Sequence, residues 1–134
     1  MILIWLRGTL PLKAIGLKMA DHWIERFREE ALPKLVEEFE PESVIVFGSR
    51  VRGTANDDSD IDVIVVSPYF ADIPFLKRMP GVLKKVPFPK HVDYLCYTRA
   101  EYDRIKDESS IIADALENSI DLRRETSDIR LERR

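Results

Sequence analysis

Two short apolar runs, separated by a glycine turn, constrain this chain more than any other feature. Residues 44–47 form a continuous β-branched and aromatic run, which predicts a strand buried on both faces. Gly48 and Ser49 interrupt it, and turn-forming residues follow at positions 53–59. Residues 60–66 are apolar again, apart from two carboxylates at the start. We therefore expect a strand, a turn, a short helix, a second turn and a second strand.

The two carboxylates belong to Asp60 and Asp62, which lie two residues apart and are therefore expected on one face of the second strand. Two anions this close repel each other unless a cation lies between them or one is protonated. Mg²⁺ usually binds one or two carboxylates together with substrate phosphates. Gly48 and Ser49 begin the predicted short helix, where backbone N–H groups and a hydroxyl can hold a phosphate. The combination indicates phosphoryl or nucleotidyl transfer, although an isolated Asp-x-Asp is more often a solvated turn or cap.

The complete string is more specific than its parts. Residues 48–53 are Gly-Ser-Arg-Val-Arg-Gly, and residues 59–62 are Ser-Asp-Ile-Asp. This string resembles the signature of the DNA polymerase β-like nucleotidyltransferases, and it is most similar to their stand-alone branch, the minimal nucleotidyltransferases. The resemblance covers residues 20–120. It implies an α/β (α+β) fold in which a small mixed β-sheet is flanked by helices.

The resemblance also implies an enzyme that uses Mg²⁺ to move a nucleoside monophosphate, AMP from ATP, to a hydroxyl acceptor. Asp60 and Asp62 would hold two Mg²⁺ ions, and in this family a third carboxylate comes from the neighbouring strand. Asp93 is the candidate for that carboxylate, because it interrupts the apolar run 91–97 that predicts a third strand. The alternative for Asp93 is an edge-strand position that faces water. His91 is expected to face solvent rather than to bind metal.

Four residues are candidates for binding the nucleotide. In the family that this chain resembles, the residues at the positions of Gly48 and Ser49 bind the β and γ phosphates. Arg50 and Arg52 are candidates for phosphate contacts, since a guanidinium group matches the geometry of a phosphate. On a helix of one turn, only one of these two arginines is expected to point inward.

The resemblance suggests a macromolecular partner as well. Minimal nucleotidyltransferases often resemble the antitoxin of a toxin–antitoxin pair whose toxin is an all-helical protein of the HEPN type. The acceptor would then be a hydroxyl of that toxin, often of a tyrosine. The alternative function is a binding module that neutralises the toxin by complex formation without catalysis. Nucleic acid is not expected as the main partner, because the net charge is −3 and we expect no further domain within these residues that could hold a template.

The length of 134 residues favours one domain. We divide the chain into an N-terminal extension (1–19), a nucleotidyltransferase domain (20–120) and a charged C-terminal tail (121–134). Residues 20–40 show a helical apolar stripe, with a kink expected at Pro33. Prolines interrupt residues 71–85, which predicts two short helices or a loose lid.

The expected compartment is the cytoplasm. The single cysteine, Cys96, lies in an apolar run and is expected to be a buried core thiol in a reducing environment. The apolar start of the chain lacks the flanking features of a signal peptide. No stretch approaches the roughly 20 apolar residues of a membrane-spanning helix.

Overall fold

Within residues 21–124, the predicted strands form the centre of a four-stranded mixed sheet. The strands are β1 (Ser43–Phe47), β2 (Ile61–Val66), β3 (Val92–Tyr97) and β4 (Ile120–Asp121). Their order in the sheet is β3-β2-β1-β4; β1 is antiparallel to β2 and to β4, and β2 is parallel to β3. The predicted fold class, a small mixed sheet flanked by helices, is confirmed.

This computed structural model describes residues 21–124. The expected N-terminal extension (1–19) and most of the expected tail lie outside the described residues. The helices are α1 (His22–Arg26), α2 (Leu32–Phe39), α3 (Ser49–Arg52), α4 (Phe75–Lys85), α5 (Arg99–Glu108) and α6 (Ser110–Glu117), with a 3₁₀ turn at Pro68–Asp72. None of the helices within residues 21–124 has the length and apolarity needed to cross a membrane.

The expected kink at Pro33 takes the form of a π-helical turn, Phe27–Ala31, between α1 and α2. Proline has no N–H to donate, and its ring crowds the carbonyl group four residues earlier. The preceding turn widens accordingly, and the Leu32 N–H donates to the Phe27 carbonyl five residues back. The helix begins at Asp21, whose carboxylate accepts a 2.7 Å hydrogen bond from the Trp23 N–H.

The two faces of the sheet are covered differently. The larger core lies between one face and the helices α1, α2 and α4; its fully buried side chains include Ile24, Phe27, Leu35, Val44, Val46, Val63, Val65 and Val82. On the other face a smaller cluster of Ile45, Ile64 and Val66 packs against Tyr102 of α5. Because side chains alternate along a strand, these two sets account for the β-branched runs of β1 and β2.

Two expectations about the chain after β2 need correction. Residues 75–85 form one continuous helix, with Pro80 inside it, rather than two helices or a loose lid. Pro80 is exposed. Because it has no N–H, it cannot donate the helical hydrogen bond to the carbonyl group of Leu76, a residue that is 86% exposed. Water can donate a hydrogen bond to that carbonyl group, so the proline lowers the stability of the helix less there than it would in a buried turn.

The second correction concerns the C-terminal boundary of the domain. Residues 120–122 belong to the fold, whereas the charged tail was expected to begin at residue 121. Ile120 and Asp121 pair with β1, and the Asp121 carboxylate accepts a 3.3 Å hydrogen bond from the Val44 N–H. Leu122 is 1% exposed and is part of the larger core. The domain therefore extends at least to Leu122, past residue 120, where the pattern of charges indicated its end.

Arg78 joins three separate parts of the structure from a buried position. Its guanidinium donates to the carbonyl groups of Ile73 (2.8 Å) and Cys96 (3.0 Å) and to both carboxylate oxygens of Glu101 (2.6 and 3.2 Å). Glu101 also completes the expected capping box of α5 with Thr98. The hydrogen bond from Arg78 is the main reason that the pKa of Glu101 falls to about 2.

We expect Glu101→Gln to weaken the dependence of stability on acid pH. The folded-state pKa of Glu101 lies below its ordinary value of 4.5, so the carboxylate stabilises the fold above that pH and loses its effect as the pH falls towards 2. In urea unfolding at pH 7, 5, 4 and 3, the variant should be less stable than wild type at pH 7 and should lose less stability on acidification. Glu108→Gln, at an exposed position of α5, is the control. Parallel pH curves for Glu101→Gln and wild type would contradict the assignment.

Candidate active site

The register of the sheet brings two of the predicted carboxylates side by side. β2 and β3 run parallel with Asp62 directly opposite Asp93. The Ile61 N–H donates a 3.2 Å hydrogen bond to the His91 carbonyl, which fixes the start of β2 against the start of β3. Asp60 immediately precedes β2. The three predicted acidic residues therefore meet at one end of the sheet.

The structure adds a histidine to this end of the sheet. One ligand atom each of Asp60, His91 and Asp93 lies within 4.8 Å of the other two. The Nε2 atom of His91 is 2.9 Å from Oδ1 of Asp93, and both side chains are half exposed. We expected His91 to face solvent, and its side chain is indeed half exposed; its spacing of two residues from Asp93 also places both side chains on one face of the strand.

Asp62 turns towards the glycine turn after β1. Gly48 has φ +87°, and a Cβ atom at this position would overlap the Asp62 carboxylate, so both the backbone and the space require glycine. Burial raises the pKa of Asp62, the negative charges of Asp93 and Asp60 raise it further, and the charge of Arg52 opposes the shift. A bound cation would relieve this repulsion.

The donor set fits a divalent cation. Carboxylate oxygens are the usual ligands of Mg²⁺ and Mn²⁺, and imidazole is a common ligand of transition ions. Asp60, Asp62 and Asp93 converge at the end of two adjacent strands, and burial together with the charges of Asp93 and Asp60 raises the pKa of Asp62. This arrangement can hold a cation next to a bound phosphate.

An open cleft of about 560 Å³ lies beside Asp62. The residues after β1 form one wall, and they include three of the predicted nucleotide ligands, Gly48, Ser49 and Arg52. The opposite wall is α6, through Ile111, Asp114 and Ala115. Ile111 is 78% exposed although it is apolar, so the cleft combines polar groups with an apolar surface suited to a nucleotide base. Sequence reasoning gave α6 no role at the site.

Arg50 does not share this cleft. Its guanidinium donates to both carboxylate oxygens of Asp21 (3.1 and 2.9 Å) and to the carbonyl groups of Asn56 (3.0 Å) and Ser59 (3.0 and 2.8 Å). The side chain is only 5% exposed. Its donors are thus engaged with the fold, and Arg52 is the arginine of this helix that lines the cleft. The expectation that only one of the pair points inward agrees with these positions.

Cys96 is not part of the site. Its thiol is buried in the larger core, and burial raises the pKa to about 12. A thiol that remains protonated is a poor nucleophile. The core role expected for Cys96 is therefore confirmed.

A family model for the nucleotidyltransferase domain matches residues 28–122, which is well over half of the chain. The chain belongs to the nucleotidyltransferase domain family. The matched segment includes the glycine turn, all three predicted carboxylates and α6, so this nucleotidyltransferase domain contains every residue of the site described above. Nucleotidyl transfer is the general activity that membership supports.

A solved structure is similar to this nucleotidyltransferase domain over most of its length. It is a candidate nucleotidyltransferase from Sulfolobus solfataricus, with 26% identity and a TM-score of 0.51; the match covers 80% of this chain and 89% of the other. BolA1 from Arabidopsis thaliana matches at 24% identity with a TM-score of 0.39, over 57% of this chain and 92% of the other, and we draw nothing from a similarity this weak. No curated protein matches the chain significantly.

Proposed function

We propose that the chain transfers a nucleoside monophosphate, AMP from ATP, to a hydroxyl acceptor in a reaction that requires Mg²⁺. The observation that carries the proposal is the placement of Asp62 between Asp93 on β3 and the cleft lined by Ser49 and Arg52. A carboxylate pair beside a phosphate-binding turn suits in-line transfer at phosphorus. The carboxylate pair alone would support only cation binding, and the turn alone would support only phosphate binding.

The residues divide into two groups on this proposal. Gly48 offers close backbone approach, and the Ser49 hydroxyl and the Arg52 guanidinium bind the β and γ phosphates. Asp60 and Asp62 would hold two Mg²⁺ ions, and Asp93 would complete the site of the ion that activates the acceptor hydroxyl. When bound, Mg²⁺ supplies positive charge next to the oxygens of the attacking and leaving groups.

On this proposal Asp93 also accepts the proton that the reaction releases. The acceptor oxygen forms a bond to the α phosphorus while the bond to the bridging oxygen of the β phosphate breaks, and pyrophosphate leaves. A carboxylate oxygen of Asp93 takes the proton of the acceptor hydroxyl. The half-exposed position of Asp93 gives such an acceptor access from solvent.

We propose a tyrosine of a partner protein as the acceptor, with an all-helical HEPN-type toxin as the partner. The open cleft and the half-exposed Asp93 leave room for a macromolecular acceptor, and the described residues 21–124 contain no second domain that would close the site. Both walls of the cleft serve the nucleotide and Asp93 lies on β3, so the partner would approach from the side of β3.

Neutralisation by complex formation alone is the second candidate function. Phe75 and Leu76 of α4 are 47% and 86% exposed, and with Met79 and Leu95 they line an apolar groove of about 160 Å³ beside β3. Exposed apolar side chains that adjoin each other often mark a protein interface. A binding module would keep its effect on the partner when the carboxylates are changed, whereas an enzyme would not.

Calorimetric titration with ATP and GTP tests the primary proposal. We expect ATP to bind only in the presence of Mg²⁺, and AMP to be transferred to the co-expressed helical partner with release of pyrophosphate, detected as a mass increase on a tyrosine. Omitting Mg²⁺ and replacing ATP by GTP are the controls. Absence of nucleotide binding, both alone and with the partner present, would contradict the proposal.

A further inference from the structure

The imidazole of His91 lies at the same end of the sheet as the three carboxylates, and the proposed function gives it no role. It lies directly before β3, and its Nε2 atom is 2.9 Å from Oδ1 of Asp93. A ligand oxygen of Asp60 completes a set of three atoms that lie within 4.8 Å of one another. These atoms come from two chain segments that the 3.2 Å hydrogen bond between Ile61 and His91 fastens together.

The geometry suits coordination. The three atoms, one nitrogen and two oxygens, are all of the kinds that bind divalent ions, and a cation about 2 Å from each ligand fits between atoms of this spacing. At 2.9 Å the imidazole and Asp93 share a hydrogen bond, and a cation bound to both atoms would take the place of the shared proton. Asp62 lies outside this group and turns to Gly48 and the cleft instead.

We propose that His91 is a direct metal ligand, with Asp60 and Asp93, and that this nitrogen-containing site prefers a divalent transition ion to Mg²⁺. The inference rests on the proposed function, because it names a ligand of the same metal centre. Imidazole favours transition ions, whose affinity rises from Mn²⁺ through Co²⁺ to Ni²⁺, whereas an all-carboxylate site suits Mg²⁺. The chain would thus use the side chain of His91 to bias the metal that serves the acceptor hydroxyl.

This assignment separates the metal preference from nucleotide binding. His91 is absent from the lining of the cleft, while Asp62, Ser49 and Arg52 all line it. Removal of the imidazole should therefore lower the affinity for the transition ion and leave the affinity for the nucleotide phosphates largely unchanged. A residue that acted only by supporting the fold would change both.

Co²⁺ titration of wild type, His91→Ala and His22→Ala, all free of affinity tags, tests the inference. His22 is the only other histidine of the chain, and it is exposed on α1, which makes it a matched control. We expect His91→Ala to bind Co²⁺ at least about tenfold more weakly and Mg²⁺ almost as before, with His22→Ala unchanged. Pulsed electron paramagnetic resonance of bound Mn²⁺ should show coupling to one directly bound nitrogen in wild type and none in His91→Ala.

The outcomes separate this inference from the proposed function. Equal Co²⁺ affinity in wild type and His91→Ala, or an absence of nitrogen coupling in wild type, would overturn the role of His91 while Mg²⁺-dependent ATP binding persists. Failure of wild type to bind any of the three ions, with and without ATP, would defeat the proposed function as well. His91→Asn keeps a polar side chain and should lose the nitrogen coupling too; its circular dichroism melt should match that of wild type, because His91 is half exposed.

Discussion

Asp62→Asn should lower the rate of nucleotidyl transfer by about a hundredfold to a thousandfold, the scale typical of losing one preorganised charge contact in a transition state. Asp62 is the residue shared by the two parts of the site, since it pairs with Asp93 across the strands and lines the cleft beside Ser49. An amide keeps the shape of the side chain but loses its negative charge. The rate of pyrophosphate release at saturating ATP, Mg²⁺ and acceptor measures the effect.

The same substitution should leave the fold as stable as before, or more stable, when no metal is bound. The folded-state pKa of Asp62 is raised above its ordinary value of 3.8, so its charged form works against folding at neutral pH. The folded state gains stability only as the pH falls through that raised pKa. Asparagine removes this penalty, and urea unfolding at pH 7 in a chelator should show an unchanged or higher free energy of unfolding.

Asp107→Asn is the control for Asp62→Asn, because Asp107 is exposed on α5. It should change neither the rate nor the stability. A variant at position 62 that keeps the wild-type rate would remove Asp62 from the site. Loss of both activity and folding would instead give Asp62 a structural role, which its raised pKa argues against.

The acidic centre was accessible from the sequence because strands have a simple period. A spacing of two residues places Asp60 and Asp62 on one face of their strand. Asp93 interrupts an otherwise apolar strand, where a carboxylate is unfavourable unless it has a partner, and this made it the candidate for the third carboxylate. The same rule, applied to His91 and Asp93, would have added the imidazole. The expectation for His91 was instead a position facing solvent, and its half-exposed side chain meets that expectation as well.

Other parts of the structure depend on contacts that spacing does not encode. Arg78 lies in a segment rich in lysine, whose composition favours a solvated face. It is nevertheless 5% exposed, because β3 and α5 supply acceptors through Cys96 and Glu101 in addition to the nearby carbonyl group of Ile73. β4 has only two residues, too few for an alternating pattern. The wall formed by α6 follows from how that helix docks, which its own apolar stripe does not determine.

Arg50 and Arg52 lie in the same helical turn, but substitutions of the two residues should have very different effects on stability. Arg50→Met should cost about 3 kcal/mol of stability, because it leaves the Asp21 carboxylate and the carbonyl groups of Asn56 and Ser59 without their buried donor. Arg52→Met, at an exposed position, should change stability by no more than about 0.5 kcal/mol. Urea unfolding of the two variants beside wild type measures both values.

Nucleotide affinity should follow the opposite order. Arg52 lines the cleft with Ser49, so Arg52→Met should weaken the binding of ATP with Mg²⁺ roughly tenfold, the cost of one charge-assisted hydrogen bond. Arg50→Met, measured at a temperature where it remains folded, should bind ATP within about threefold of wild type. The loop that Arg50 holds leads directly to Asp60, so any loss in that variant should appear in the transfer rate before it appears in affinity.

The reverse result would exchange the two assignments. If Arg50→Met were as stable as wild type and failed to bind ATP, the guanidinium would have to leave Asp21 and turn to the phosphates when the nucleotide binds. Asp21 would then lose its partner in the bound state, and Asp21→Asn should raise the affinity for ATP. If Arg50 instead serves the fold, as its five hydrogen bonds to Asp21, Asn56 and Ser59 indicate, Asp21→Asn should lower stability and leave that affinity unchanged.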